Sequence, residues 1–527
     1  MSSDTKNNKV LLIVAYSERN LGIRYISNYL LKNGFEPTIV FFKTFESLYS
    51  SSAITDYELG LLKDIIDKEN YLFVALNLHS SSIVQEVDSL IKMLQEYCNI
   101  PLILGGAYPT TSPKDCATKA DLVLRGDGEI NVLKLAKAIQ NNLSWKNIPG
   151  ACFFDENDQY IELEQENPEP NLDEIAYPLI GYKKMFVINY NSAKQIDPQL
   201  TTDFYELSTS RGCPFSCSYC CASALAGVYK NKSAFLRYRS VDSVIKELKE
   251  AVQKNPDIKE IRFWDEVFPS SKNWVEEFAY RFKKEIGLKF HIFGHPLTIK
   301  EDTIKLLVDA GLYLIAVGFQ SGSPNVRNKI FNRPETNEQI IQASKILSAC
   351  KVPRIYYDLM VCHPLETLEE LKETFDLCMK LEPTFRLQLH GLGILPGAEI
   401  LKLLLERGVY TKNEINKIVT SSFVKQDTLL LGPLRNYFDK NYKKKIWATL
   451  IYLTQFPELK QELASLALAP FKNIKRINEL KAQRKFIHNH LSAIKFCDYE
   501  NLYTRSLNIF MYYTNSFFNS INKKEKI

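Results

Sequence analysis

Short apolar runs alternate with amphipathic stretches over residues 9 to about 142. The runs are KVLLIVAY (9–16), EPTIVFF (36–42), YLFVALNL (71–78), IPLILGG (100–106) and ADLVLRG (120–126). Unbroken apolar strands separated by helices predict a parallel sheet buried on both faces. Five such units fit an α/β, flavodoxin-like doubly wound domain over 1–145, with its ligand beyond the carboxyl ends of the strands. Residues 146–200 carry several prolines and acidic residues and little periodicity, which predicts a small hairpin followed by a linker.

The alternation resumes over 201–400. Strand candidates are FYELSTS (204–210), IKEIRFW (258–264), KFHIFGH (289–295), LYLIAVGFQ (312–320), RIYYDLMV (354–361) and FRLQLHGLGI (385–394), with amphipathic stretches such as SVDSVIKELKEAVQK (240–254) between them. Six βα units predict a partial (β/α)6 TIM-like barrel with its chemistry at the carboxyl ends of the strands. Over 401–527 strand signals vanish, and LKLLLERGVYTKNEINKI (401–418), YKKKIWATLIYLTQF (442–456) and NLYTRSLNIFMYYTNSFF (501–518) predict an α-helical C-terminal domain with a frayed tail, NKKEKI.

Composition adds little that is specific. Of 527 residues, 45% are hydrophobic and 24% charged, which is a soluble globular balance, and a net charge of +5 permits an acidic substrate or a membrane surface without implying nucleic acid. No signal peptide is visible at the start, and the longest apolar runs fall well short of the roughly 20 residues that span a bilayer. Eleven cysteines with no disulfide-like framework predict a reducing, cytoplasmic compartment.

The chemistry concentrates in TSRGCPFSCSYC (209–220), which follows the first barrel strand. Three thiolates on a short loop can hold three corners of a cubane iron–sulfur cluster and leave one iron without a protein ligand. A structural zinc site would want four ligands, and Cys221, adjoining Cys220, is poorly placed to share the ion.

Cys213, Cys217 and Cys220, with Tyr219 before the last cysteine, resemble the cluster motif of the radical S-adenosylmethionine superfamily. The resemblance implies a [4Fe-4S] cluster bound by these cysteines. Its open iron would chelate S-adenosyl-L-methionine, whose reductive cleavage gives a 5′-deoxyadenosyl radical. It also places Asp265 and Glu266 near the methionyl ammonium, Gln320 and Ser321 along the ribose, and Arg333 on the methionyl carboxylate. YYDLMVCHPLET (356–367) resembles a family segment in which a glycine stands where this chain has Cys362, and GILPGAEI (393–400) resembles the end of the barrel.

The amino-terminal domain resembles the cobalamin-binding domain of the class B, cobalamin-dependent branch of that superfamily. The resemblance is carried by LGIRYISNYLLKNGFEP (21–37), ILGGAYPTTSP (103–113) and ADLVLRGDGEINVLKLAKAI (120–139). Gly105 and Gly106 would let backbone approach a flat macrocycle, and Gly126 and Gly128 would admit the ligand's tail. Leu76, Asn77 and Ser80, Ser81 and Ser82 could contact the corrin or its nucleotide loop. No Asp-x-His-x-x-Gly follows the first strand, so no histidine is offered as lower axial ligand to cobalt, and Tyr108 stands where relatives often have histidine. A degenerate domain or another nucleotide site is the competing reading.

His295 and His390 end barrel strands and could face the barrel mouth, although a structural role is the commoner fate of such histidines. His488 and His490 are expected to be solvated. The basic run 443–445 before IWATLIY suits either a turn into a core helix or peripheral membrane contact. The resulting expectation is a cobalamin-dependent radical methyltransferase. It would act on an unactivated carbon, or on phosphorus, of a small-molecule, lipid or peptide substrate through methylcobalamin. Electrons would come from a reducing partner such as flavodoxin or ferredoxin, and no nucleic acid is expected. Rival readings are a non-methylating cyclase or rearrangement enzyme, a methylthiotransferase and a non-enzymatic cobalamin-binding regulator. The methylthiotransferase would need a second cysteine triad, but Cys98, Cys116 and Cys152 are far apart in sequence.

Overall fold

The computed structural model describes residues 6–44, 53–420 and 441–495, with side chains through 484. Two compact units divide the chain, Met1–Lys440 and Asn441–Ile527.

The first unit begins with β1 (Lys9–Ala15), α1 (Leu21–Lys32), β2 (Glu36–Phe42), α2 (Asp56–Ile66), β3 (Val74–Asn77), α3 (Asp88–Tyr97) and β4 (Leu102–Gly105). Two short helices, α4 (Ala107–Thr111) and α5 (Pro113–Ala117), then lead to β5 (Leu122–Leu124) and α6 (Gly128–Gln140). Leu11, Ile13 and Ala15 of β1 enter one apolar core. Val10, Leu12 and Val14 enter another on the opposite face. That double burial is why the run is apolar at every position rather than at alternate ones.

Residues 146–200 do more than link. β6 (Ala151–Phe154) and β7 (Tyr160–Glu162) form the expected hairpin, but they extend the sheet antiparallel to β5. β8 (Met185–Asn189) and β9 (Ser192–Gln195) form a second hairpin, in which β8 runs parallel to β2. The sheet therefore has nine strands, ordered β7-β6-β5-β4-β3-β1-β2-β8-β9. The edge strands β7 and β9 are short and partly or mostly exposed, so their apolar signal is diluted below what a sequence pattern reveals.

Six parallel strands follow, ordered β10 (Phe204–Leu207), β13 (Glu260–Phe263), β14 (Lys289–Gly294), β15 (Leu312–Gln320), β16 (Arg354–Met360) and β17 (Phe385–His390). This is the predicted open barrel. A small antiparallel ribbon, β11 (Ser210–Arg211) with β12 (Arg237–Tyr238), frames the cysteine loop. Phe263 of β13 meets Phe278 and Phe282 of α7 (Lys272–Glu285) and Phe290 of β14 edge-on or tilted, at centroid distances of 5.6, 6.4 and 5.8 Å. That aromatic knot fixes the helix on the outside of the sheet.

The helical region divides. Ile400–Glu406 and Lys412–Val419 pack with Val326, Phe331, Met360 and Leu392 of the barrel, so they belong to the first unit. The second unit contains Tyr442–Leu453, Lys460–Ala467 and Ile474–Lys495. In the first of these, every residue from Ile446 to Leu453 is buried, which suits a core helix rather than one lying on lipid. No described helix is long and apolar enough to cross a membrane. The expected helix at 501–518, the tail, and the side chains of His488 and His490 lie outside the described residues.

Candidate functional site

The cysteine loop leaves the ribbon at Gly212, whose φ is 87°. A Cβ there would stand 2.6 Å from the carbonyl oxygen of Phe235, so no other residue fits without moving backbone. Gly212→Ala is expected to cost about 1–3 kcal/mol through the forced left-handed geometry. It should also lower the iron retained after anaerobic reconstitution, which a colorimetric iron assay measures.

Beyond Gly212, Cys217 is buried and Cys213 and Cys220 are half-buried. Burial pushes the Cys213 thiol up to about 12 and raises that of Cys217 against the pull of Arg333. Such thiols ionise at neutral pH only with an electrophilic partner such as iron. Among the described residues, no three His, Cys, Asp or Glu side chains converge closely enough to hold a single metal ion. A cubane takes its thiolates at separate corners, a requirement that the loop's spacing meets. Two hydrogen bonds tie the loop to the segment 331–332. Ser218 N–H donates to Phe331 O at 3.0 Å, and Asn332 Nδ2 donates to Ser216 O at 2.8 Å.

Asp265 lies just past β13 and is 3% exposed. Its Oδ1 accepts from Thr209 N–H (2.9 Å), Thr209 Oγ1 (3.0 Å) and Ser210 Oγ (2.5 Å). Its Oδ2 is buried without a hydrogen-bond partner, an acceptor that suits an additional N–H donor. Burial raises its pKa from 3.8 to about 6. Folding therefore favours the protonated carboxyl, and that stabilisation is complete below pH 3.8 and lost as the pH rises through about 6. The thermal midpoint of ligand-free protein should fall across that window relative to Asp265→Asn, and parallel curves would refute the assignment. Glu266 is exposed at the same loop, where its charge adds to the burial that raises the Cys213 thiol.

Gln320 ends β15 at φ 62°. Ser321 is fully buried and turned inward, its Oγ 3.2 Å from Thr374 Oγ1 and accepting from Ser323 N–H at 3.1 Å. These hydrogen bonds pin the turn that follows Gln320. Arg333 is 5% exposed and lies against the cysteine loop. Cys362 adopts φ 60°, the left-handed region a glycine would occupy without strain, and its N–H donates to Glu366 Oε2 at 2.8 Å. His295, just past the end of β14, is buried, with its ring stacked on Phe215 of the cysteine loop at a centroid distance of 3.7 Å. His390 is partly exposed, with Nε2 3.7 Å from Asp358 Oδ1.

A cavity of about 320 Å³ opens at the carboxyl edge of the nine-stranded sheet. It brings together Gly105, Gly106, Gly126 and Gly128 with Leu76 and Asn77, all singled out from sequence. Asn77 Oδ1 is buried there without a hydrogen-bond partner, as a site awaiting a polar ligand requires. Gly106 has φ 107°, and a Cβ would come within 2.9 Å of Leu78 O. Ser80 and Ser81 lie outside the lining, in a short turn where Ser80 Oγ caps Ser82 N–H at 3.3 Å. Tyr108 is also outside it, buried in α4.

The opposite wall belongs to the barrel's entrance: Ser208, Ser210, Arg211 and Arg239. Arg211, two residues before Cys213, donates to Asp127 Oδ2 at 2.9 Å and to Glu129 Oε1 at 2.6 Å. Arg237, its partner across the ribbon, donates to the same Asp127 Oδ2 at 2.8 Å. The guanidinium of Arg211 also lies over the Tyr25 ring, 4.7 Å from its centroid. Sequence reading valued the glycines of Gly126–Glu129 and missed its acids; an Arg beside a cysteine motif and an acidic helix start carry no mutual signal.

Comparison with known proteins bears on the fold and the family. Residues 207–378 match the Radical SAM superfamily model. The chain is 27% identical over 292 residues to an uncharacterized methyltransferase, PH0819, of Pyrococcus horikoshii, a match over 54% of this chain and 59% of that protein's length. It is 23% identical over 395 residues to cytidylyl-2-hydroxyethylphosphonate methyltransferase of Streptomyces wedmorensis, covering 68% of this chain and 72% of the relative. Among solved structures, the cobalamin-dependent S-adenosylmethionine radical enzyme OxsB, with aqua-cobalamin and S-adenosylmethionine bound, superposes with a TM-score of 0.63. The identity there is 16%, over 94% of this chain and 75% of that one, so the fold is what the two share.

Proposed function

The chain belongs to the radical SAM superfamily, and from that premise we propose that it is a cobalamin-dependent methyltransferase acting on an unactivated carbon or phosphorus. The observation that carries this reading is a shared wall. The cavity at the edge of the first sheet and the ribbon bearing the cysteine loop are both bounded by Ser210 and Arg211. Two cofactor sites so placed can address one substrate.

When bound, a [4Fe-4S] cluster with S-adenosyl-L-methionine supplies one-electron cleavage of a sulfonium, and cobalamin supplies methyl transfer. The residues of this chain do the rest. Cys213, Cys217 and Cys220 would hold the cluster, and Asp265 Oδ2, with Glu266 beside it, would accept from an ammonium. Gln320 would lie along a ribose. Gly105, Gly106, Asn77 and the Gly126–Gly128 turn would line the corrinoid site, with the apolar side chains of Leu12, Ile103 and Val132 excluding water from its floor. Methyl transfer is preferred to cyclisation because both curated relatives named above are methyltransferases. The substrate class extends to small molecules, lipids and peptides, and a flavodoxin or ferredoxin would supply electrons.

Protein purified without oxygen should be brown and carry both iron–sulfur and corrinoid absorbance. With a reductant it should release 5′-deoxyadenosine from S-adenosylmethionine, and methyl-deuterated S-adenosylmethionine should label the product. Absence of a cluster after reconstitution overturns the radical reading, and an unlabelled product overturns methyl transfer.

A further inference from the structure

The inner face of the open barrel is built differently from its outer one. On the outside, Phe263 packs on Phe278 of α7, and Tyr357, 1% exposed, meets Phe319 and Phe385 at centroid distances of 5.6 and 5.4 Å. Trp264 N–H donates to Leu207 O at 2.8 Å, which continues the ladder of β13 by one residue. Side chains alternate along a strand, so Trp264, Tyr356 and Asp358 point to the interior. Register extends the row, because Phe293 pairs with Ala316 and Ala316 with Tyr356. The Trp264 and Phe293 rings lie 5.4 Å apart. A closed barrel fills such positions with packed, branched aliphatic side chains. Here the row is aromatic, Trp264 is 49% exposed, and the central strand contributes only the methyl of Ala316.

One layer closer to the carboxyl ends the lining turns polar. Gly318, Asp358 and Gln388 pair in register across β15, β16 and β17. Gly318 has no side chain, which makes room for the Gln320 amide. Asp358 Oδ1 is buried and accepts no hydrogen bond among the described residues. His390 Nε2 stands 3.7 Å from it, too far for a hydrogen bond. Arg386, beside Tyr356 in the aromatic row, is itself partnered. A buried carboxylate oxygen without a donor costs free energy, which a ligand N–H would recover. Trp264 immediately precedes Asp265, and Gly318 stands two residues before Gln320, so this lining runs along the strands into the groups assigned to S-adenosylmethionine.

We propose that this inner wall is the substrate subsite, and that it takes a flat, unsaturated ring system bearing an ammonium or other N–H donor. Trp264, Phe293 and Tyr356 would lie against the ring, and Asp358 would accept from its nitrogen. This deepens the function proposed above and rests on it. An aromatic lining with a few placed polar groups both binds and orients a small ligand. Ring contact supplies affinity, and Asp358 fixes which edge of the ring faces it. A saturated chain gains no ring contact and an anion meets like charge at Asp358, so the wall disfavours lipids and acidic peptides.

The test needs no knowledge of the natural substrate. Anaerobically reconstituted protein, loaded with cluster, cobalamin and S-adenosylmethionine but given no reductant, is dialysed to equilibrium against four probes. They are naphthylmethylamine, the neutral ethylnaphthalene, the anionic naphthylacetate and the saturated decahydro analogue of the amine. Naphthylmethylamine should bind, and each of the others should bind at least about tenfold more weakly. Asp358→Asn should abolish the preference for the amine over ethylnaphthalene. Trp264→Leu should weaken both by about tenfold and keep that preference. Iron content and a thermal melt show that each variant is loaded and folded. Equal binding of amine and anion, or an Asp358→Asn profile identical to wild type, would overturn the role of Asp358. Equal binding of the decahydro amine would overturn the flat ring. If Asp358→Asn does not fold, the probe series on wild type decides alone. A loaded wild type that binds none of the naphthalenes sinks only this inference, whereas wild type that takes up no cluster sinks the function proposed above.

Discussion

Cys217→Ser protein should lose its iron–sulfur absorbance and release of 5′-deoxyadenosine, with the rate of radical formation falling by more than about a thousandfold. Serine has nearly the shape of cysteine, but its hydroxyl ionises far less readily and is a hard donor where iron–sulfur chemistry takes thiolate. The fold should survive, because the loop is held by ties that do not involve the thiol: Ser218 N–H on Phe331 O, Ser218 Oγ on Ile330 O at 2.5 Å and Asn332 on Ser216. The check is iron content and anaerobic turnover beside a thermal melt. A melt close to wild type with abolished turnover is the expected pair of results. Retained iron and turnover would remove Cys217 from the site.

Glu129→Ala should destabilise the first unit by about 3 kcal/mol or more, because it strips Arg211 of its best-aligned partner and leaves a mostly buried guanidinium under-compensated. Glu129 is 2% exposed and takes both Nη atoms of Arg211, at 2.6 and 3.2 Å. Asp127 cannot compensate, since its Oδ2 is already shared between Arg211 and Arg237. The same substitution should weaken retention of cobalamin, because Glu129 and Arg211 both line the cavity. The paired change Glu129→Leu with Arg211→Met should recover much of the lost stability, as apolar replacement of a buried pair does. Denaturant midpoints and corrinoid retained on gel filtration measure the two effects. A Glu129→Ala midpoint equal to wild type would show that water enters and screens the pair.

The sequence alone determined the two αβ architectures and the place of the cysteine loop. These rest on short-range signals: an apolar run buried on both faces, as in β1, and three cysteines spaced to serve one group. The close backbone approach expected at Gly106 belongs to the same class, since the want of a Cβ is itself a local property. Only the tertiary structure decided which distant groups meet. Arg211 finds Asp127 across 84 positions, and Arg333 finds Cys217 across 116. It buried Ser321, packed His295 against Phe215 and placed the second hairpin of 146–200 beside β2. The physical reason is that spacing along a chain encodes strand period, turn geometry and local ligand sets. The partner of a buried charge is set by how separate segments cross, and no local pattern records that crossing.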